Sequence, residues 1–132
     1  MIQCMLDTNI CVDILRGRPV AFHRRPQLDR MCISSITLGE LLFGGWRSSD
    51  RPRNERAVFD FCAAIQIVPF DHRAAAVYGQ VRWKLESTGQ PIGPLDTLIA
   101  SHALSLDMTL VTSNEREFRR VDKLPIENWR SV

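Results

Sequence analysis

The sequence predicts an α/β fold, a three-layer α/β/α sandwich built around a small parallel sheet. Short, continuously apolar runs alternate with longer amphipathic stretches along the chain. Strands of this kind are buried on both faces, which requires helices on either side of a parallel sheet. A length of 132 residues suits one hydrophobic core, and we therefore expect a single domain over residues 1–132.

Four strands are expected from the short apolar runs, each bounded by polar or turn-forming residues. They cover residues 2–6, 31–34, 65–70 and 109–112. None of these runs alternates between apolar and polar residues, so each strand is expected to be covered by helices on both sides.

Glycine and proline mark the ends of the predicted helices. Gly17 and Gly89 follow two amphipathic stretches, while Pro52 and Pro94 fall near the starts of two others, where proline is tolerated. The resulting helices cover residues 8–16, 36–47, 53–64, 72–87 and 94–106, with shorter helical pieces at 20–28 and 115–119. The tail that follows, to Val132, is expected to be irregular.

Composition limits the classes of function without selecting one. The formal net charge of +2 is too small to require a nucleic-acid partner, although 15 of the 17 basic residues are Arg, which binds phosphate well. No apolar run approaches the roughly 20 residues of a membrane span, and no signal peptide is evident. The four cysteines have no zinc-finger or C-x-x-C spacing. A cytoplasmic protein without membrane contact is therefore expected.

The most informative segment is the end of the first predicted strand. The apolar run stops at Asp7, and Thr8 and Asn9 follow before an amphipathic stretch begins. This pattern places Asp7 at the carboxyl end of a parallel strand. In open α/β sheets, ligands and catalytic groups collect at that edge.

Two further acids fall near the starts of predicted helices. Glu40 follows the second strand, where Thr37 and Glu40 also fit a capping box that needs no catalysis. Asp96 lies in a first helical turn, where the helix dipole alone would favour a carboxylate. However, Ile99 and Ala100 follow Asp96 at i+3 and i+4, which puts its carboxylate on the apolar, inward face.

A fourth polar cluster follows the last predicted strand. Asn114 could cap a short helix there, and Glu117 could be a solvated helix residue. Taken together, the clusters gather acids at one end of a parallel sheet. Gathered carboxylates raise one another's pKa unless a divalent cation neutralises them, and hard oxygen ligands suit Mg²⁺ or Mn²⁺. Such a centre is typical of phosphoryl or phosphodiester chemistry.

These clusters and their flanking residues resemble the ordered motifs of PIN-domain ribonucleases. The matching segments are Leu6–Asn9, Ser35–Leu41, Ile92–Ala100 and Val111–Phe118. The closing segment Ile126–Trp129 is similar to the C-terminal end of VapC-type toxins. The resemblance therefore covers essentially the whole chain, with the motifs in order.

The resemblance implies a PIN-like three-layer α/β/α sandwich and a toxin of a type II toxin–antitoxin pair. It implies an Mg²⁺- or Mn²⁺-dependent endoribonuclease that cleaves structured RNA and inhibits translation. Transfer RNA, including initiator tRNA, is a substrate class of such toxins. A VapB-type antitoxin that neutralises the enzyme, and a homodimer or higher assembly, are implied as partners.

Residue by residue, Asp7, Glu40 and Asp96 match the three acids with which the family holds metal. The resemblance departs at Asn114, where many PIN domains have Asp. A neutral amide would ligate weakly or position a water, and Glu117 could supply an acid nearby. The catalytic set implied by the resemblance is therefore Asp7, Glu40, Asp96, Asn114 and Glu117, with the first three as metal ligands.

Two threonines beside these acids, Thr8 and Thr112, are expected to orient the carboxylates or the attacking water. Close by, an apolar helical stripe is expected to receive an antitoxin segment that carries an Arg or Lys toward the acidic centre. The stripe consists of Leu38, Leu41, Leu42 and Trp46.

Other folds with Mg²⁺ at a sheet edge fit less well. A phosphoacceptor domain would have paired acids after the first strand and a Lys after the last, and a haloacid-type phosphatase would have an acid in place of Asn9. A dinucleotide-binding domain requires a glycine-rich turn that this sequence lacks. A degenerate PIN domain that only binds RNA or protein stays open as the alternative, although the three retained acids argue against it.

Overall fold

The computed structural model describes residues 2–18 and 30–129, and within them the chain forms a five-stranded, fully parallel sheet. The strands are β1 (Cys4–Leu6), β2 (Met31–Ser34), β3 (Gln66–Val68), β4 (Thr109–Val111) and β5 (Ile126–Glu127). Their order across the sheet is β3-β2-β1-β4-β5, so β1 and β4 lie side by side near the centre. All four predicted strands are confirmed.

Helices occupy the stretches between the strands, as expected. Over the same residues they are α1 (Thr8–Leu15), α2 (Ser35–Trp46), α3 (Arg51–Ala63), α4 (His72–Ser87), α5 (Pro94–Ser105) and α6 (Glu115–Phe118). Each lies within two residues of its predicted bounds. The helical piece predicted at 20–28 lies outside the described residues. Of the described helices, none has the length and apolar character to cross a membrane.

The C-terminal tail differs from the prediction, because part of it is a strand. In β5, Ile126 pairs with Leu110 and Glu127 with Val111, which extends the sheet beyond β4. A strand of two residues is too short to leave a periodic signal in the sequence. Trp129 follows it and is almost completely buried. The described part of the tail, as far as Trp129, is therefore part of the sheet and the core.

The core consists of two apolar layers, one on each face of the sheet. Alternate residues of β1 divide between them: Cys4 and Leu6 contact the layer beneath α1, α2 and α3, whereas Met5 contacts the layer beneath α4 and α5. This division confirms the predicted three-layer α/β/α sandwich. The four cysteines are buried free thiols in these layers, and burial raises the pKa of Cys4 to about 11.

The start of α2 also differs from the prediction. The capping box expected from Thr37 and Glu40 does not form, because the helix begins earlier and Ser34 caps it. The Ser34 hydroxyl accepts a hydrogen bond from the Ile36 amide at 3.1 Å. Thr37 is consequently buried inside the helix, and the Glu40 carboxylate is not used for capping.

Replacing Trp129 with Ala should lower the free energy of unfolding by about 3–5 kcal/mol, because it removes the largest buried side chain of one core layer. Urea denaturation of the purified variant would measure this loss. Trp83→Ala is the matched control, since Trp83 is 72% exposed and its loss should change stability by less than about 0.5 kcal/mol. Equal stabilities of the wild type and Trp129→Ala would contradict this assignment.

Candidate active site

Asp7 occupies the junction between the two central strands. It follows β1, caps α1 and is 2% exposed. Its Oδ1 accepts a 2.8 Å hydrogen bond from the Thr8 amide, and its Oδ2 accepts a 2.7 Å bond from the Thr112 hydroxyl at the end of β4. Burial raises the pKa of Asp7, and these two hydrogen bonds partly oppose the rise.

Glu40 approaches Asp7 from α2, the helix that follows β2, on the side of β1 opposite β4. It lies in the second turn of α2, and its Oε1 accepts a 2.7 Å hydrogen bond from the Thr8 hydroxyl. The Thr8 hydroxyl also lies 3.4 Å from that of Thr37. One threonine therefore contacts both acids, through its amide to Asp7 and through its hydroxyl to Glu40.

Asp96 faces this pair from the first turn of α5, two residues after Pro94. Its pKa is raised to about 7, chiefly by burial, then by the Asp7 carboxylate and by a hydrogen bond with Glu117. Asp96 therefore lies in a crowded acidic region, and its carboxyl group changes protonation state near neutral pH.

Asn114 and Glu117 complete the cluster from the segment after β4. The Asn114 amide group donates a 3.2 Å hydrogen bond to Glu117 Oε2, and its backbone N–H donates to the Thr112 hydroxyl at 3.0 Å. The Asn114 side chain makes no capping bond to α6, so the capping role considered for it does not hold. The structure therefore brings together all five residues of the expected set.

Two supporting residues were not singled out in the sequence. Ser34 fixes the start of α2 and thereby the position of Glu40. At Gly93, an added Cβ would lie 3.3 Å from Asp96 Oδ2, so the absence of a side chain leaves room for that carboxylate. The sequence alone does not show that either residue supports the cluster, because serine and glycine are common at helix starts for structural reasons alone.

The two described histidines, His72 and His102, stay outside the cluster. His102 is almost fully buried in α5, with Nδ1 2.8 Å from the Ser34 hydroxyl and its ring edge-on to Phe70. Burial lowers its pKa and favours the neutral ring. Its contacts indicate a packing role between α5 and β2.

The chemistry of the donor set fits a hard divalent cation. The cluster offers carboxylate oxygens, which Mg²⁺ and Mn²⁺ prefer. Burial, and after it the neighbouring acids, raises the pKa values of Asp7 and Asp96, and a cation would stabilise their charged forms. Among the described residues, no three acids, histidines or cysteines are already gathered as a metal-binding group. The acids that would hold such a cation are Asp7, Glu40 and Asp96.

Comparison with known proteins places this arrangement in a family. The family model of the PIN domain matches residues 4–124. The chain belongs to the PIN-domain family. It is 41% identical over 131 residues to the tRNA(fMet)-specific endonuclease VapC of Shigella flexneri, covering 98% of this chain and 99% of that one. It is 39% identical over 129 residues to ribonuclease VapC2 of Rickettsia felis, covering 95% and 96%.

Solved structures of VapC proteins share the fold. The chain superposes on one from DNA-bound VapBC of Salmonella typhimurium with a TM-score of 0.93, at 40% identity and over 98% of this chain and 99% of that chain. A chain of VapBC-1 from nontypeable Haemophilus influenzae gives 0.89, at 32% identity and over 99% and 100%. The PIN-like architecture inferred from the sequence motifs is confirmed, and this PIN domain is a VapC-type chain.

Replacing Asp96 with Asn should raise the melting temperature in metal-free buffer, by an amount that grows with pH. Because the pKa of Asp96 is raised from 3.8 to about 7, the folded protein holds a proton between these values that the unfolded chain releases. The free energy of unfolding therefore falls as pH rises through that window. A neutral Asn removes this loss, and the gain at pH 8 should be on the order of a few degrees.

Thermal melts from pH 4 to pH 8, with EDTA and then with Mg²⁺, measure this effect. Mg²⁺ should raise the melting temperature of the wild type at pH 8 more than that of Asp96→Asn. The exposed pair Arg82 and Glu86 offers a control, since Glu86→Gln removes a carboxylate far less buried. A wild-type melting temperature that rises with pH as much as that of Asp96→Asn would refute the assignment of Asp96.

Proposed function

We propose that this PIN-domain protein is an Mg²⁺- or Mn²⁺-dependent endoribonuclease toxin that hydrolyses a phosphodiester bond in structured RNA. The observation that carries the proposal is the convergence of the four acids on the carboxyl edge of the sheet, where the pKa of Asp96 is raised to about 7. Buried like charges are costly, so such a cluster is poorly suited to a purely structural role.

Each acid has a distinct part in the proposed reaction. When bound, the cation would supply a Lewis acid that polarises the scissile phosphate and the attacking water. Asp7 is the most rigid ligand, because hydrogen bonds from Thr8 and Thr112 fix both of its carboxylate oxygens. Glu40 is oriented by Thr8.

Asp96 provides the group that can exchange a proton. With a pKa of about 7, it gains or loses a proton readily at physiological pH, and the neighbouring Glu117 contributes to that raised pKa. Asn114 donates to Glu117 and so holds that carboxylate toward Asp96. We assign Asn114 a supporting role.

We propose initiator tRNA as the first RNA to test, because the VapC proteins of Shigella flexneri and Salmonella typhimurium are named as tRNA(fMet)-specific endonucleases. Both match this chain over 98% of its length at 41% identity. Cleavage of initiator tRNA would inhibit translation at initiation, and the cytoplasm is where this substrate occurs.

The degenerate PIN domain that only binds RNA or protein is distinguished by metal titration. Incubation of the purified protein with initiator tRNA, with Mg²⁺ or Mn²⁺ and then with EDTA, should give cleavage only with the metal. RNA that is bound but never cleaved under any of these conditions would favour the binding module. Sequencing of RNA ends after brief induced expression would identify the cut.

Asp7→Asn should reduce RNA cleavage by at least about 10²-fold, since one ligand charge and its electrostatic contribution are lost. Asp96→Ala should be similarly inactive. Asn114→Ala should lose only about 10- to 100-fold, the effect typical of a residue that orients a ligand. Single-turnover rates at saturating Mg²⁺ give the ranking. Equal damage from Asn114→Ala and Asp96→Ala would make Asn114 a primary ligand.

We further propose that a VapB-type antitoxin neutralises the enzyme and that the active assembly is a homodimer or larger. The similar VapC structures come from VapBC complexes. The expected apolar stripe is only partly exposed: Leu41 is 6% exposed within the core, and Leu38 and Leu42 pack against it. The exposed apolar side chains of α2 are instead Phe43 and Trp46, at 61% and 65%.

Trp46→Ala should weaken the complex with the co-expressed antitoxin without changing the cleavage rate of the free enzyme. Arg51 covers part of the indole, with its guanidinium carbon 3.5 Å from the ring centroid, but Trp46 is still 65% exposed, and the uncovered part of its surface is available to a partner. A loss of roughly 10-fold or more in affinity, measured by calorimetry, is expected for an anchoring aromatic residue. Unchanged affinity would show that the antitoxin docks elsewhere.

A further inference from the structure

A cationic hollow lies beside the acidic cluster, between the C-terminal half of α4 and the turn that follows α6. Its volume is about 480 Å³. Four cations and one acid line it: Lys84, Arg119, Arg120, Lys123 and Asp122. We call this hollow the basic groove. Both lysines of the chain are among its cations.

The basic groove adjoins the active site through the chain itself. Arg120 lies three residues after Glu117, at most about 11 Å away along the backbone. Its guanidinium donates a 2.9 Å hydrogen bond to the Pro91 carbonyl, in the segment that leads to Asp96. Arg120 therefore connects the turn after α6, the helix that carries Glu117, to the segment before α5, the helix that carries Asp96.

The ion pairs of the basic groove leave its cations available. Lys84 pairs with Asp122 at 3.0 Å, and Arg119 pairs with Glu115 at 3.3 Å. The lysine and arginine side chains are 58% and 72% exposed. Exposed pairs of this kind contribute little stability, so a phosphate can take the place of the carboxylate at small cost.

An exposed indole flanks the basic groove. Trp83 is 72% exposed on α4, next to a hollow of about 460 Å³ that it lines with Gly79, Gln80 and Lys84. Gly79 lies one turn before Trp83, and a Cβ at Gly79 would contact nothing within 4 Å. Because residues at i and i+4 share a helix face, this glycine leaves space beside the indole for a flat ring.

We propose that the basic groove and Trp83 bind an unpaired segment of the substrate RNA, with phosphates against the four cations and a base stacked on the indole. This inference rests on the proposed ribonuclease function and extends it to substrate binding. Proteins bind unpaired RNA through cationic grooves that follow the backbone and aromatic rings that stack on bases. The charge favours RNA over a protein partner, because four cations surround the hollow against a single lining acid.

Binding is measured in EDTA, so that cleavage plays no part, by the anisotropy of a fluorescein-labelled initiator tRNA transcript. Trp83→Ala should weaken binding about 5- to 100-fold, the range for loss of one stacked base, and Trp83→Phe should keep most of the affinity. With metal present, Trp83→Ala should raise KM for the tRNA and leave kcat unchanged.

Lys123→Gly removes a cation without harming the fold. Lys123 has a φ of 66°, a conformation that glycine adopts more readily, so the melting temperature should be unchanged or higher. The slope of log Kd against log salt concentration should fall by about one, as expected for one lost phosphate contact. The matched control is Arg56→Gln, which removes an exposed arginine from α3 on the opposite face of the sheet.

Three results would overturn the proposal. Unchanged affinity in both Trp83→Ala and Lys123→Gly would show that RNA binds elsewhere. An equal loss in Arg56→Gln would show a diffuse charge effect. A change of oligomeric state in Trp83→Ala, seen by size-exclusion chromatography, would make this surface an interface between proteins. If the wild type cleaves RNA while both variants bind it normally, only this inference is refuted, whereas a wild type that neither binds nor cleaves RNA refutes the proposed function as well.

Discussion

The hydrogen bond from the Thr112 hydroxyl to Asp7 Oδ2 is the interaction on which the acidic cluster depends. Asp7 is 2% exposed, and a buried carboxylate is costly unless donors meet it. Thr112 and the Thr8 amide supply those donors, and they stand on either side of the junction between β1 and β4. The parallel pairing of these strands, with Leu6 opposite Val111, brings the two partners together at one edge.

The remaining acids follow from that junction. Thr8 donates hydrogen bonds to both Asp7 and Glu40. These bonds connect the end of β1 to the helix that follows β2, in addition to the pairing of the two strands. Asp96 faces these acids, and its burial, followed by their negative charge, raises its pKa to about 7. Gathering buried acids in this way lowers the stability of the folded protein. A local loss of stability at one edge of the sheet is typical of an active site.

The sequence predicted the strands and most helices because short apolar runs and Gly or Pro boundaries are local signals. It also predicted the acidic edge, since Asp7 follows an apolar strand and Asp96 shares the inward face of α5. It did not predict β5, whose two residues are defined only by pairing with β4. Nor could it choose Ser34 over Thr37 as the cap of α2, because both fit the local pattern equally well. The basic groove depends on the packing of α4 against a turn far along the chain, which no local pattern records.

Although the net charge of the chain is small, it carries an acidic region and a basic region that are separated by only a few residues along the chain. Four acids meet at the carboxyl edge of the sheet, while four cations line the basic groove around the turn that follows Glu117. Phosphate is repelled by the acids until a cation neutralises them, and it is attracted by the basic groove whether or not a metal ion is bound. RNA would therefore bind in the basic groove, and its phosphate would approach the acids only when a metal ion is bound there. Binding would then precede cleavage and would not require the metal ion. The positions of the charges account for this sequence of steps, whereas the formal net charge of +2 does not favour either step.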